Sequence, residues 1–121
     1  MLREAITEYQ QALKVAPQNR LAMNNLAWLL ATSSDASSRD GTKAVALARE
    51  AIQLSSDADP NFFRTLAAAY AESGRFSEAV ATAEQAMQVA TAQGKSGLAN
   101  ILEKELILYR AHSPVRETEP Q

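Results

Sequence analysis

The chain contains no cysteine, so neither a disulfide framework nor a thiolate metal site can be built from it, and cysteine usage leaves its redox compartment unmarked. A single histidine, His112, leaves no second imidazole or thiol from which to assemble a metal centre or a nucleophile–base pair, and it reads as a solvated surface residue. Glycine and proline, four of each, stand at the edges of apolar-periodic segments rather than in tracts, which excludes a collagenous or low-complexity chain. Uninterrupted apolar runs such as Leu26 to Ala31 fall far short of the roughly 20 residues that cross a bilayer, so no direct membrane insertion is expected. Met1 is followed by an amphipathic helical pattern instead of a charged start, an apolar stretch and a cleavage site; no signal peptide is read, and a cytoplasmic setting is expected over a periplasmic one. Twelve basic residues are interspersed with fourteen acidic ones, and without a basic stripe there is no footprint for a nucleic acid or an anionic membrane.

What is present is helix-forming. Ala, Leu, Glu, Gln and Arg dominate, β-branched runs are few, and the 3.6-residue apolar period continues almost from end to end. With 121 residues, 46% of them hydrophobic, one domain can bury roughly two thirds of the surface of its unfolded chain. The punctuation predicts about six helices and no strand. The first covers Leu2 to Val15 and stops before Pro17, which disfavours helical geometry at Ala16. The second spans Arg20 to Thr32 and the third Thr42 to Leu54, after Asp40-Gly41. Asp59-Pro60 opens the fourth with a capping carboxylate and a first-turn proline, and Ser73-Gly74 closes it. The fifth runs from Ser77 to Ala92 and the sixth from Leu98 to Ala111. The tail, residues 113–121, with two prolines and alternating charge, is expected to be loose.

Laid over one another, the helices repeat. Phe63, Leu66, Ala67 and Tyr70, followed by Ala79, Ala83 and Ala86, match the spacing of Met23, Leu26, Ala27 and Leu30, followed by Ala44, Ala48 and Ala51. Ala5, Tyr9, Ala12 and Pro17 add a further half. These positions resemble the tetratricopeptide motif, a helix-turn-helix of about 34 residues. The resemblance implies an all-α fold of antiparallel helix pairs stacked as a short right-handed α-solenoid: the second helix of a partial repeat at 2–17, repeats at 20–58 and 60–93, and a closing helix at 97–111. From Leu66 to Ala79 is 13 residues and from Leu26 to Ala44 is 18, so the earlier repeat carries a Ser-rich insertion of the kind a surface loop tolerates. The segment from Asn24 to Ala51 is similar to long-loop repeats in large, often multidomain bacterial proteins. Ala83 stands where the family usually has a bulky aromatic, and Thr91 where a proline ends the repeat.

Catalytic patterns are absent. Gly94-Lys95-Ser96 lacks the glycine five residues earlier and the preceding strand that a phosphate-binding loop needs. Glu103 and Glu105 stand two apart on a helix and diverge, which suits no paired acid–base work. No cofactor is expected, and an enzyme is the most distant reading.

In tetratricopeptide stacks the first helix of each pair lines a concave groove that binds peptides. The resemblance therefore places a partner-binding groove at Leu21, Asn24, Asn25 and Trp28 on the second helix and Asn61, Arg64, Thr65, Ala68 and Glu72 on the fourth. Trp28 lies about 200° around the helix from Leu26, off the apolar stripe, where it either forms a groove anchor or packs against the first helix or under the Ser-rich loop. Arg64 is the groove cation suited to a carboxylate. The family's carboxylate clamp for chaperone tails is matched at Asn25 but departed from at Trp28 and Arg64. The expected partner is a protein or peptide segment; the alternative is a structural end-cap or dimerisation segment of a larger scaffold. Ile6, Tyr9 and Leu13, without a helix covering one side, are expected to support homodimerisation.

Overall fold

The computed structural model describes residues 2–117, and 77% of these described residues are helical. Six α-helices follow one another: α1 (Leu2–Val15), α2 (Arg20–Thr32), α3 (Gly41–Leu54), α4 (Pro60–Glu72), α5 (Phe76–Ala92) and α6 (Ser96–Arg110), with a 3-10 turn at Ala36–Ser38 between α2 and α3. No strand occurs among the described residues, and none of their helices is long and apolar enough to cross a membrane. Each helix packs on its sequence neighbour, and α2 also packs on α4. The result is an all-α helical repeat.

Local sequence sets where the helices start. Asn19, Asp40 and Asp59 each precede a helix and accept a hydrogen bond from a first-turn amide, of Ala22, Lys43 and Asn61 respectively, which satisfies donors the helix itself cannot pair. With Asp40 as the cap, α3 starts at Gly41, one residue ahead of the expected Thr42. A Cβ on Gly41 would stand 2.6 Å from Ser73 Oγ and 3.0 Å from Ser73 N, so glycine here lets the start of α3 lie against the end of α4.

The last three helices end alike. Gly74, Gly94 and His112 adopt left-handed φ values of 78, 73 and 57°. The next amide then reaches back to close the helix: Arg75 N to Tyr70 O at 2.9 Å, Lys95 N to Ala90 O at 2.8 Å, and Ser113 N to Leu108 O at 2.8 Å. After the two glycines the next helix follows at once, so α5 begins at Phe76 and α6 at Ser96, ahead of the expected Ser77 and Leu98. After His112 comes a segment without helix or strand instead. The imidazole is exposed, as expected of a solvated surface residue, and stacks on Phe76 with centroids 5.2 Å apart and planes 8° from parallel.

Small residues let the helices approach. Ala44, Ala48 and Ala51 on α3 and Ala79, Ala83, Ala86 and Ala90 on α5 are all fully buried, and alanine stripes of this kind bring helix backbones close. Their absence of bulk is filled from the facing helices by Leu26, Leu30, Leu66, Tyr70, Leu106 and Tyr109. Helix α4 is enclosed on several sides, with every residue from Thr65 to Ala71 buried. Its two phenylalanines divide accordingly: Phe62 is buried with Met23 and Ala51, while Phe63, half-buried, packs on Ala86, Ala90 and Leu102.

The Ser-rich insertion is tied down by polar contacts. Asp35 accepts from the Ser37 amide at 3.1 Å and its hydroxyl at 2.7 Å, and Arg3 reaches Asp35 from α1 at 3.1 Å. Arg39 donates to Ser33 O at 2.8 Å and to Glu72 at 3.3 Å. The hydrogen bonds from Ser37 hold the Asp35 carboxyl below the usual carboxylate range.

Candidate functional site

Helices α2, α4 and α6 contribute side chains to one shared face, and a chain of three residues crosses it. The indole of Trp28 on α2 lies under the Arg64 guanidinium of α4, 4.2 Å from ring centroid to Cζ. Arg64 in turn grips Glu105 of α6 from two nitrogens: Nη2 donates to Oε2 at 2.7 Å, and Nε donates to Oε1 at 2.9 Å and Oε2 at 3.1 Å. Glu105 is only 6% exposed. A two-nitrogen, charge-assisted grip is the geometry that can offset burying such a carboxylate.

On one side of this chain lies an open cleft lined by Leu21, Asn24, Asn25, Trp28, Asp59, Asn61, Phe62, Arg64 and Thr65. Leu21 projects from it, 61% exposed. The Oδ1 atom of Asn24 is buried without a hydrogen-bond partner, so the cleft wall holds an amide oxygen that no neighbouring donor satisfies.

On the other side the face is covered by residues 113–117, the first part of the tail expected to be loose; residues 118–121 lie outside the described residues. The turn at His112 directs this segment back across the carboxyl ends of α4 and α2. Val115 is half-buried against the main core. Arg116 Nη1 stands 2.8 Å from Glu72 Oε1, an ion pair whose angles fall short of a hydrogen bond. Glu117 accepts a 2.9 Å bond from Trp28 Nε1, and its own amide donates at 2.6 Å to Thr32 O, a last-turn carbonyl that α2 cannot pair internally.

The sequence-predicted residues therefore divide. Leu21, Asn24, Asn25, Trp28, Asn61, Arg64 and Thr65 meet at the open cleft. Thr65 is buried and donates its hydroxyl to Asn61 O at 3.1 Å, so it shapes the wall more than it presents a group. Ala68, only 1% exposed, belongs to the core, because α4 is enclosed where a purely amphipathic helix would show a free face. Glu72 is half-buried and engaged by Arg39 and Arg116. Arg64, expected to await a partner's carboxylate, already holds Glu105. Trp28 is neither free nor deep: it is half-buried, packed on the core below and capped by Arg64 and Glu117. Ile6, Tyr9 and Leu13 are half-buried against the core, leaving part of each uncovered.

Sequence reasoning missed Glu105, Phe62, Asp59 and the tail residues. Glu105 had a signal, since it falls between Leu102 and Leu106 on the inward side of α6, where an acidic residue requires a cation. A wider depression lies between α5 and α6, lined by Met87, Thr91, Glu103, Leu106 and Arg110 among others, but its one ion pair, Arg110 to Glu84 at 3.8 Å, is largely exposed. No family model, curated protein or solved structure matches the chain.

Proposed function

We propose that the face shared by α2, α4 and α6 is a protein-interaction surface that holds an extended polypeptide segment, as the tetratricopeptide resemblance implies, and that the chain acts by binding rather than by catalysis. The observation that supports this reading best is the composition of the open cleft. An exposed leucine, the side chains of Asn24 and Asn25 and the edge of Trp28 converge there. Apolar anchors beside amides suit a peptide, whose backbone offers donors and acceptors at regular spacing while its side chains fill hollows. The long-loop repeat suggests a place within a larger repeat protein of bacterial type.

Linear peptides displayed on phage and selected against the chain test this. Selected clones should lose about tenfold or more in affinity for a Leu21→Asp/Asn25→Arg variant, whose replaced side chains are exposed and outside the core. Clones indifferent to both changes would place binding elsewhere.

A second reading, a scaffold segment that self-associates, is favoured by the partly uncovered Ile6, Tyr9 and Leu13 on α1. Sedimentation at about 100 μM, where weak patch contacts register, should then show a dimer that Ile6→Glu with Leu13→Glu abolishes. A monomer at that concentration removes it.

A further inference from the structure

The segment lying on the covered half of the face shows what that half recognises. It has no helix or strand of its own, it follows a proline at position 114, and it presents an apolar, a basic and an acidic residue in that order, Val115, Arg116 and Glu117. Each meets a complementary group: the core edge for Val115, Glu72 for Arg116, and the Trp28 indole N–H for Glu117. The Glu117 amide satisfies the Thr32 carbonyl at the end of α2, so recognition includes the backbone. Thr32 is fully buried. The site thus has an apolar shelf, an acidic receptor, an indole donor and a carbonyl acceptor in fixed order.

We propose that this half of the face is a subsite for extended segments of the pattern apolar–Arg–Glu, occupied in cis by residues 114–117, and that a partner carrying the same pattern enters by displacing the tail. The inference rests on the peptide-binding reading above. It goes further in naming the partner's chemistry and the element that guards the site.

The geometry makes the guard effective without making it permanent. A short connection confines the tail near its site at an effective concentration on the order of mM, so a segment whose own affinity is only about 100 μM holds the site closed about nine tenths of the time and weakens a competitor about tenfold. The polar contacts are few, and the outermost of them is partly solvated: Arg116 is 35% exposed, against 17% for Glu72. Contacts of this kind give register and selectivity more than strength.

The test uses the full chain with its tail disabled by Val115→Ser, Arg116→Ser and Glu117→Ser. The probe is a fluorescent peptide of sequence Ala111 to Gln121, followed by anisotropy. The variant should keep the far-ultraviolet circular dichroism of the parent and bind the peptide about tenfold more tightly than the parent does, as the effective-concentration estimate requires. A control peptide with the Arg and Glu exchanged should not bind the variant. If variant and parent take up the peptide equally, the tail does not guard the site; if the exchanged peptide binds as well, the order of receptors is wrong. Either result overturns the proposal. Phage-selected peptides separate this failure from that of the broader reading: should they bind through Leu21 and Asn25 while the tail peptide binds neither form, the face remains a peptide site and only its cis occupation falls. A dimer formed by exchange of tails between copies, seen by sedimentation of the parent, would also overturn it, since the tail would then be serving assembly.

Discussion

The open and covered halves of the α2–α4–α6 face are built from the same helices, yet polar groups are treated differently in each. In the open half Leu21 is exposed and Asn24 keeps an unpaired oxygen. In the covered half the chain's own segment supplies partners: Trp28 Nε1 has Glu117, Thr32 O has the Glu117 amide, and Glu72 is ion-paired with two arginines, although its Oε1, like Asn24 Oδ1, accepts no hydrogen bond. Between them stands the Trp28–Arg64–Glu105 chain, which spans all three helices and belongs to both. The difference teaches that a helical face of this kind can be made from stable packing and still leave some of its bonding capacity to be completed by an extended segment, here the chain's own.

The largest effect should come from breaking the boundary that both halves share. Glu105→Leu leaves the Arg64 guanidinium partly buried without its carboxylate, and should lower unfolding free energy by about 3 kcal/mol, measured by urea denaturation. Arg64→Leu combined with Glu105→Leu removes both charges and should recover most of that loss, to within about 1 kcal/mol of the parent. If the single and double variants were equally unstable, packing rather than charge would be holding α4 to α6. For the same reason Arg64→Glu is no neutral probe of ligand binding, because it sets two carboxylates against each other.

A smaller effect should separate the halves. Trp28→Phe keeps a ring beneath Arg64 but removes the indole donor to Glu117, at a cost of about 1 kcal/mol for a half-buried bond to a charged acceptor. Its more telling consequence is local. Trypsin cleaves after arginine, and Arg116 is held against Glu72 in the covered half, so cleavage after Arg116 should be faster in Trp28→Phe than in the parent, while Leu21→Asp in the open half leaves it unchanged. Equal cleavage in all three would mean that the tail does not depend on Trp28.

The smallest effect concerns the Ser-rich loop, which serves as a region apart from both halves. Hydrogen bonds from Ser37 depress the Asp35 carboxyl, so the stability it contributes is present above the ordinary aspartate range and is lost as pH falls below about 4. The loss should be slight because the group is solvent-exposed, and Asp35→Asn should remove that part of the acid sensitivity in thermal melts at pH 3 and pH 6 while leaving tryptic cleavage after Arg116 at neutral pH as in the parent.

Much of this architecture was legible before the structure. Periodicity, the capping residues Asn19, Asp40 and Asp59, and the helix-ending Gly74 and Gly94 placed all six helices to within about two residues, because those signals act over one turn of chain. The face was legible in part: period placed Leu21, Asn24, Asn25 and Trp28 off the apolar stripe, but could not say what lay opposite. Arg64 meets Glu105 41 positions away, and Trp28 meets Glu117 89 away, separations at which no local rule operates. The tail's contacts were not legible, because its composition is that of a loose segment while the groups it meets stand on α2 and α4, far along the chain. The left-handed turn at His112 was likewise not legible, since a left-handed helix end is usually glycine and nothing in the neighbouring residues marks the exception.

The chain has one tryptophan, so its proton–nitrogen correlation spectrum contains a single indole N–H resonance, and that resonance reports directly on whether residue 117 sits on the face. With Glu117→Ala in the otherwise intact chain, loss of the charge-assisted bond should move the Trp28 indole resonance upfield and speed its exchange with water, with further shifts concentrated near Thr32 and Glu72 and little change at Leu21 and Asn25. An indole resonance unmoved by the substitution would contradict docking of the tail, and with it the distinction between an open and a covered half.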